Sequence, residues 1–403
     1  MSEAALPLAG LRVLDISTYI AGPAAAVVLG DYGADVIKVE QPGEGDPNRS
    51  IITSSAYPKS AVNYPWMMDA RNKRSIALDL KHPAGRSALD PLIRTADVLI
   101  TNFPLPVRNR LRLAYGDVCD LNDRLIYASL TGFGETGPDR NQPGFDSTAY
   151  FARSGLCDQV RYDGQPPHFS LPAQGDRPSA IGLVAGIMMA LYQRERTGKG
   201  TSVSTSLLAN GLWSNGVYAQ AALVGGFLPL RPPRHSPRSA LSNIYRTRDE
   251  RWVLISLPME ERLWPRLCKA LDRDDLRHDE RFAETAARRG HAADLTAILD
   301  AEFAKHPAAE LTRRLKDNGL TFSLVNRIQD IADDEQAVAA GAVVETANPD
   351  MPRTLAAPFR LGSSPPRVAG AAPGLGQHTD EILAEAGFEQ AAIAELRRSG
   401  AAA

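Results

Sequence analysis

The stretch LRVLDISTYIAGPAAAVVLGDYGADVIKVE, residues 11–40, carries the clearest structural pattern in the chain. Leu11–Ser17 and Asp35–Glu40 are short apolar runs of the length expected for buried strands. The residues between them have a helical pattern, with Pro23 in the first turn and Gly33 beyond the end. Two strands joined by a helix predict a parallel βαβ unit.

The same alternation continues beyond this unit. Further strands are predicted at Arg74–Leu80, Asp97–Asn102 and Arg124–Leu130, with a helix at Gly85–Arg94 between the first two. Alternating strands and helices of this length are typical of α/β proteins, in which helices cover both faces of a parallel sheet. The sequence therefore predicts a large Rossmann-like α/β domain.

The length and the changes of composition along the chain predict two domains. A chain of 403 residues exceeds what one ordinary hydrophobic core accommodates. Residues 1–224 carry the α/β pattern, whereas residues 225–324 begin with a Pro- and Arg-rich linker and continue as a hairpin followed by helices. Residues 325–403 have no core pattern of their own. We therefore expect a large domain, a smaller α+β domain, and a final segment that returns to the large domain.

The composition is that of a globular protein without a bulk charge. Hydrophobic residues make up 44% and charged residues 23% of the chain, and the net charge is −2. This balance provides no general attraction to nucleic acid or to an anionic membrane, so we expect neither as a partner. Cys119, Cys157 and Cys268 have neither metal nor disulfide spacing, and no apolar run resembles a signal peptide or a membrane span. We expect a cytoplasmic protein without a metal site.

The first βαβ unit has the outline of a dinucleotide site but not its phosphate signature. Such sites carry three glycines, G-x-G-x-x-G, between the first strand and the helix. Here the segment Ser17–Pro23 contains a single glycine, and Pro23 removes a backbone N–H that would otherwise face a phosphate. The sequence therefore argues against an NAD site.

Two acidic residues flank a polar, Pro-rich segment in the middle of the chain. Asp146 ends a Gly-rich loop, and Asp176 follows Gly175 directly before an apolar helix pattern. For a lone aspartate the ordinary interpretations are a turn residue and a helix N-cap, respectively. A carboxylate at a helix N-terminus is also kept ionised by the helix dipole and the free N–H groups, and a carboxylate nucleophile needs that state. Both interpretations stay open on these residues alone.

Several short motifs, taken together, resemble those of the class III CoA-transferases. This family includes formyl-CoA transferase, carnitine CoA-transferase and the alpha-methylacyl-CoA racemases. The resemblance runs from Leu11 to about Phe388. In chain order the motifs are the turn Ala21-Gly22-Pro23, the segment RNKRSIALDLK at Arg71–Lys81, the pair Asn102-Phe103, Arg110, and the pair Gly175-Asp176.

The resemblance implies which residues form the site. Asp176 takes the position of the family's nucleophile, and Asp146 is implied as a second, orienting acid. The 3′-phosphate and the diphosphate of CoA require local cations even in a neutral protein. For the basic residues the alternative is a solvated strand edge. By their positions in the motifs, the implied CoA-binding residues are Tyr19, Ile20, Ala21, Gly22, Leu78, Lys81, Asn102, Phe103 and Arg110.

The resemblance also implies the reaction and the assembly. A class III enzyme moves CoA from an acyl-CoA to a small free carboxylic acid through an aspartyl anhydride and an aspartyl-CoA thioester, with no permanently bound cofactor. The arginines of Arg231–Arg238 favour a dicarboxylate donor such as succinyl-CoA. Members of the family form homodimers whose chains interlock, so an interlocked homodimer is expected here.

The sequence departs from the family pattern at two places. Racemases carry a histidine directly before the acid aligned with Asp146, whereas this chain has Phe145, and inversion of an α-carbon needs both an acid and a base. Formyl-CoA transferase has consecutive glycines where this chain has HSPRSALSN, residues 235–243. A CoA-transferase is therefore the main hypothesis. An acyl-CoA racemase or isomerase and a non-catalytic acyl-CoA-binding paralogue remain the alternatives.

Overall fold

A six-stranded sheet forms the centre of the larger of two compact units in the computed structural model, which describes residues 6–403. The larger unit comprises residues 6–157, 169–226 and 336–403. Every neighbouring pair of strands in the sheet is parallel, which confirms the predicted α/β class. In chain order the strands are β1 (Arg12–Ile16), β2 (Asp35–Glu40), β3 (Lys73–Ala77), β4 (Val98–Thr101), β5 (Ile126–Thr131) and β6 (Thr201–Ser206).

Helices are the second main element of the chain. Short 3₁₀ turns occur at Pro47–Arg49, Ile51–Thr53 and Ile328–Asp333, and a π-helix spans Asp146–Ala152. In chain order the α-helices are α1 (Ala21–Asp31), α2 (Tyr64–Ala70), α3 (Pro83–Ala88), α4 (Asp90–Thr95), α5 (Leu105–Arg110), α6 (Tyr115–Val118), α7 (Leu156–Gln159), α8 (Asp176–Thr197), α9 (Leu207–Ser214), α10 (Gly216–Leu223), α11 (Glu260–Ala270), α12 (Asp274–His278), α13 (Thr285–Gly290), α14 (Ala292–Phe303), α15 (Ala308–Asp317), α16 (Glu335–Ala339), α17 (Thr379–Glu385) and α18 (Gln390–Arg398).

Two hydrophobic cores lie on opposite faces of the six-stranded sheet. Successive strand residues point to opposite faces, so the neighbours Val13 and Leu14 of β1 belong to different cores. Val13 packs in the core formed with α1 and α8, and Leu14 packs in the core formed with α4 and α18. Helices thus cover both faces, which explains why the inner strands β1, β2 and β4 are largely apolar.

Two elements of the sheet region differ from the sequence prediction. The predicted helix at Gly85–Arg94 is two helices, because Pro91 lacks the N–H that would continue α3 and instead stands in the first turn of α4. The edge strand β6 is absent from the prediction. Its sequence, TSVSTS, is rich in Ser and Thr, and of its side chains only Ser206 is fully buried, so it lacks the apolar run that marks the inner strands.

The smaller unit comprises residues 158–168 and 227–335. Its sheet is antiparallel, in the order β7 (Ser242–Arg246), β8 (Trp252–Ser256) and β9 (Phe322–Leu324). Helices α11 to α15 supply most of its core, in which Trp264, Phe282 and Phe303 are buried. An antiparallel sheet, with the helices inserted between β8 and β9, makes this an α+β unit.

The C-terminal segment packs within the larger unit. Its hairpin pairs β10 (Val343–Glu345) with β11 (Arg353–Leu355). Ile382 of α17 and Leu396 of α18 are buried in the core that contains Leu14, and Ala402 forms a bridge with Leu78 directly after β3. The end of the chain therefore completes one face of the sheet.

Two features are absent from the part of the chain that the structure describes. From residue 6 to residue 403, no helix combines the length and the apolar character needed to cross a membrane. In the same part of the chain, no three or more His, Cys, Asp or Glu side chains are grouped as a metal site would require.

Candidate active site

The carboxyl ends of the parallel strands share one edge of the sheet, where the strand order reverses between β1 and β4. In open α/β sheets, ligands bind in the crevice at such a switch point. The segments after β1 and β4 meet there: the Asn102 amide donates to the Thr18 carbonyl at 2.7 Å and accepts the Thr18 N–H at 2.8 Å. Phe103, the next residue, is half-buried against the hydrophobic core. Asn102 therefore holds the turn after β1 in place.

The turn between β1 and α1 requires its particular residues. Tyr19 adopts a left-handed φ of 63°, a conformation that costs a residue with a side chain about 1–2 kcal/mol. Asp46 helps to hold it by accepting the Tyr19 N–H at 3.0 Å. A Cβ on Gly22 would lie only 2.4 Å from the Cβ of Ser17, so no other residue fits there. The glycine of the Ala-Gly-Pro motif thus permits close packing of α1 against the turn.

A buried cluster of charged side chains holds this turn in place. Lys38 lies 2.8 Å from Asp46 and donates to the carbonyl of Ser17, and Lys73 lies 2.8 Å from Asp15. Burial raises the pKa of Asp15, but the two lysines outweigh it and hold the pKa below its ordinary value. Burial lowers the pKa of Lys38, but Asp15 and Asp46 hold it above its ordinary value. Lys73, which belongs to the motif Arg71–Lys81, therefore lies in the buried interior of the protein.

The other predicted CoA-binding residues differ in how far their side chains are exposed to a ligand. Ile20, Ala21 and Leu78 are buried in the hydrophobic cores, so only their backbone atoms are available to a ligand. Lys81 and Arg110 are exposed. Lys81 follows β3 and Arg110 ends α5, so both follow strands that end at the switch-point edge. Both side chains are therefore accessible to solvent and to a ligand.

The loop after β5 is anchored at Glu135. Arg108, which is buried in α5, donates to both oxygens of this carboxylate at 2.8 and 2.7 Å. Glycines close the base of the loop, because a Cβ on Gly132 would lie 3.0 Å from the Cα of Gly144. The loop therefore returns to the edge of the sheet just before Asp146.

Asp146 begins the π-helix and is buried. One of its carboxylate oxygens accepts the N–H of Ser147 at 2.8 Å, and the other accepts the N–H of Gly175 at 3.0 Å. Helices of the π type are rare and occur frequently at functional sites. The structure thus brings the two predicted aspartates together, with Asp146 bonded to the residue that precedes Asp176.

Phe145 links these aspartates to the turn after β1. Its ring is 62% exposed and meets the ring of Tyr19 edge to face, with the ring centroids 6.0 Å apart. The position at which racemases of the family carry a histidine is therefore at the site, but a phenyl ring can neither donate nor accept a proton there.

Asp176 is the first residue of α8, and Gly175 is the N-cap. No side chain caps this helix, and within the part of the chain that the structure describes, no hydrogen bond holds the Asp176 carboxylate. The interpretation of Asp176 as an N-cap is therefore wrong. Its half-buried carboxylate is left available to a ligand.

The ionisation of Asp176 also differs from the sequence prediction. Burial, and then the charge of Asp146, raise the pKa of Asp176 to about 7, with a smaller contribution from Asp69. Arg177 opposes this shift, but its guanidinium is bound to buried Asp69, with Nη1 3.0 Å from Oδ1. With this pKa the group is only partly ionised at neutral pH, so the expectation that the helix terminus keeps it ionised holds only in part.

Tyr57 is a further residue of the site, one that the sequence motifs do not mark. Burial, followed by the charges of Asp176, Asp146 and Asp69, raises the pKa of Tyr57 to about 12. Its phenol therefore stays protonated at neutral pH. Tyr57 lies in an irregular segment between a 3₁₀ turn and α2, and no pattern in that segment indicates a functional role.

The arginines on which the prediction of a dicarboxylate donor depends have partners within the smaller unit. Arg231 lies 4.8 Å from the ring centroid of Tyr162, and Arg234 donates to both oxygens of Asp300 at 2.9 and 2.8 Å. Arg238 donates to two backbone carbonyls. Of the three, Arg234 is therefore paired with a carboxylate, whereas Arg231 and Arg238 are exposed and contact a ring and backbone carbonyls.

Comparisons with known proteins identify the family of this chain. The sequence matches the family "CoA-transferase family III" over residues 8–379. It is 31% identical over 406 residues to the (R)-2-hydroxy-4-methylpentanoate CoA-transferase of Clostridioides difficile, covering 97% of this chain and 98% of the relative. It is 31% identical over 417 residues to the succinyl-CoA:glutarate CoA-transferase of Mus musculus, covering 98% and 90% of the two chains.

The fold has close counterparts among solved structures. A CAIB/BAIF family protein from Brucella suis superimposes with a TM-score of 0.85 at 29% identity, covering 95% of this chain and all of that one. The family match extends over nearly the whole length, and so do the relatives. The chain therefore belongs to CoA-transferase family III, and it is an enzyme of the CoA-transferase class.

Proposed function

We propose that this protein transfers CoA from an acyl-CoA to a small free carboxylic acid, with Asp176 as the nucleophile. The observation that carries the proposal is the position of Asp176. Its carboxylate has no hydrogen-bond partner among the described residues and begins a helix at the switch-point edge of the sheet. A structural aspartate would be satisfied by neighbouring groups, whereas a nucleophile has to be free to attack.

The reaction proceeds by alternate formation of anhydrides and thioesters. The Asp176 carboxylate attacks the carbonyl carbon of the donor thioester, giving a mixed anhydride and CoA thiolate. The thiolate attacks the aspartyl carbonyl, giving an aspartyl-CoA thioester and the free donor acid. The acceptor carboxylate then displaces CoA from this thioester, and the thiolate attacks the acceptor's acyl carbon in the second anhydride. The products are the new acyl-CoA and the restored Asp176 carboxylate, and no ATP is needed.

Backbone donors at the start of α1 are suited to stabilise the oxyanions of these steps. The first N–H groups of a helix have no partner within the helix. Ala21 and Gly22 provide two of them, and both are held by the packing of the turn. The start of α8 provides fewer free N–H groups for this purpose, because Pro178 has no N–H and the N–H of Ser179 donates to the carbonyl of Gly175.

The proposal assigns the nucleotide end of CoA to the exposed cations at the same edge. Lys81 and Arg110 are expected to pair with the phosphates, with Tyr19, Ile20, Ala21, Gly22, Leu78, Asn102 and Phe103 lining the CoA crevice. The support is their common location after the carboxyl ends of β1, β3 and β4. For Ile20, Ala21 and Leu78 the expected contacts are made by the backbone, since their side chains are buried.

For the donor we propose succinyl-CoA. Relatives named as succinyl-CoA-dependent transferases, such as the mouse enzyme, support this choice more directly than the arginines of the smaller unit, of which Arg234 is paired with Asp300. The acceptor is a small carboxylic acid whose side chain the site does not specify. The free thiols of Cys119, Cys157 and Cys268 support a reducing, cytoplasmic location.

We also propose that the protein is an interlocked homodimer, as in its family. Helices α8 to α10 of the larger unit carry large apolar side chains that are exposed in the single chain: Met189, Tyr192, Trp213, Val217, Leu223 and Val224. Large apolar side chains that are exposed together in this number are typical of a protein interface. A second copy of the chain is the proposed occupant.

The test is a transfer assay with succinyl-CoA and a panel of free carboxylic acids, followed by mass spectrometry of the CoA esters. We expect one or more acids to appear as new acyl-CoAs with the wild type and none with Asp176→Ala. Incubation of a 2-methylacyl-CoA in deuterated water provides the comparison with a racemase, and we expect no exchange of the α-proton because Phe145 replaces the required histidine. Transfer by Asp176→Ala at the wild-type rate would refute the proposed mechanism.

A further inference from the structure

Gly175, the residue before Asp176, is held from three directions. Asp146 accepts its N–H at 3.0 Å. The hydroxyl of Ser179 donates to its carbonyl at 2.8 Å. The ring of Tyr150 lies against its Cα, since a Cβ placed on Gly175 would be 2.6 Å from Cγ and 2.9 Å from Cδ1 of that ring. The backbone that carries Asp176 therefore has little freedom to move.

Tyr150 and Asp146 belong to the same π-helix. Both are buried, and both contact Gly175. The phenol of Tyr150 forms a hydrogen bond of 2.5 Å with the hydroxyl of Ser214 at the end of α9, so the ring is fixed at both ends. The π-helix thus presents one hydrogen-bond acceptor and one flat ring to a single glycine.

Helix α9 holds the π-helix in turn. A Cβ on Gly211 would lie 2.2 Å from the carbonyl oxygen of Tyr150, so the two elements are in close contact. The amide of Asn215 donates to the carbonyl of Ser154 at 3.1 Å, just beyond the π-helix. The position of Tyr150 is therefore set by the packing of α9.

We propose that Tyr150 is a positioning residue for CoA transfer, whose ring holds the Gly175–Asp176 peptide at the angle that the nucleophile needs. This inference rests on the proposed role of Asp176. A nucleophile must be held within a fraction of an ångström of its productive position, and small displacements lower the rate of the chemical step more than the binding of the substrate. The glycine of the Gly-Asp motif then has a physical explanation, because only glycine leaves room for the ring.

The test compares Tyr150→Leu with Tyr150→Phe in the transfer assay. We expect Tyr150→Leu to lower kcat by about 10- to 100-fold while the KM for acyl-CoA changes by less than about threefold, since CoA binds at a different part of the crevice. Tyr150→Phe keeps the ring and should retain most of the wild-type kcat.

Tyr32→Leu is a matched control for loss of core packing. Tyr32 is buried in the same hydrophobic core, its hydroxyl donates to a backbone carbonyl at 2.8 Å, and its ring is stacked on a phenylalanine. Tyr32→Leu should lower the thermal stability about as much as Tyr150→Leu but leave kcat within about threefold of wild type.

Gly175→Ala, which leaves Tyr150 in place, keeps the proposal testable if Tyr150→Leu folds poorly. It should lose activity because its Cβ collides with the ring, and adding Tyr150→Leu should cause no further loss, because the two residues act through one contact. A wild-type kcat for Tyr150→Leu, or additive losses in the double mutant, would overturn the positioning role. Asp176→Ala, assayed in parallel, tests the nucleophile itself and separates the two proposals.

Discussion

At the level of single residues, the environment of Asp176 has a direct kinetic consequence. Because burial and Asp146 raise its pKa to about 7, the unliganded enzyme carries much of this group as the carboxylic acid at neutral pH. The acid form is not a nucleophile, so the proposed mechanism requires the group to lose its proton before attack. The rate of transfer should therefore depend on pH near neutrality.

We predict that kcat/KM for acyl-CoA rises with pH along one limb whose midpoint lies near pH 7, because this ratio reports the ionisation of the free enzyme. Asp146→Asn removes a charge that raises the pKa of Asp176, while its amide oxygen can still accept the N–H of Gly175. The midpoint of the rise in kcat/KM should therefore shift to lower pH in Asp146→Asn. An unchanged pH profile in Asp146→Asn would contradict this origin of the shift.

The same pKa has a consequence for stability. The pKa of Asp176 in the folded protein lies above its ordinary value of 3.8, so ionisation of the group destabilises the fold as pH rises from about 4 to about 7. Asp176→Asn should therefore have a higher Tm than wild type at pH 8 and a similar Tm at pH 4. Thermal unfolding at the two pH values checks the sign.

At the level of elements, the turn between β1 and α1 depends on buried charges rather than on its own sequence. Asp46 binds the N–H of Tyr19 and also pairs with Lys38, which donates to the carbonyl of Ser17. Asp15 adds a second buried carboxylate close to Lys38. The charge cluster and the turn therefore form one structural unit.

We predict that Asp46→Ala destabilises the protein by about 3–5 kcal/mol, because removal of one partner leaves Lys38 without its closest buried counter-charge. Asp380→Ala is the control. Asp380 forms an exposed ion pair with Arg397 in the same unit, and its loss should cost under about 1 kcal/mol. Urea unfolding measures both, and equal effects of the two variants would contradict the importance of the buried cluster.

Much of this element-level arrangement could be predicted from the sequence. The apolar runs of β1, β2 and β4 have the pattern of inner strands, and the Gly-Asp pair before an apolar helix marks Asp176. The edge strand β6 could not be predicted in this way, because its polar side chains face solvent. The influence of the site carboxylates on Tyr57 and the contact of Tyr150 with Gly175 could not be predicted either, because they arise from the packing of segments apart in the sequence.

The basic residues of the motif Arg71–Lys81 also show what cannot be predicted from the sequence. Lys73, Arg74 and Lys81 are close in sequence and look alike, but the fold separates their roles. Lys73 is buried against Asp15, Arg74 pairs with Asp35 at the other edge of the sheet, and only Lys81 is exposed after β3. Spacing alone does not distinguish a core lysine from one that can reach a phosphate.

At the level of the whole molecule, the proposed interlocked dimer makes a kinetic prediction. Two interlocked chains can separate only if one of them unfolds in part, so subunit exchange should be very slow. We predict that light scattering gives the mass of a dimer. Two differently tagged dimers, mixed under native conditions, should form no mixed dimers over a day, as judged by affinity capture.

Unfolding and refolding of the same mixture is the control for this experiment. It should give mixed dimers, because the chains then assemble anew. Rapid formation of mixed dimers without denaturant would indicate an ordinary dimer, and a monomer at micromolar concentration would leave the apolar side chains of α8 to α10 without the proposed partner.

The most direct test of the central claim is to trap the covalent intermediate on Asp176. Hydroxylamine added during turnover with acyl-CoA should convert the aspartyl anhydride or thioester to a hydroxamate. Mass spectrometry of the peptides should then locate the added mass on Asp176, with no label when acyl-CoA is omitted. A hydroxamate on another residue, or full turnover with no residue labelled, would contradict the assignment of Asp176 as the nucleophile.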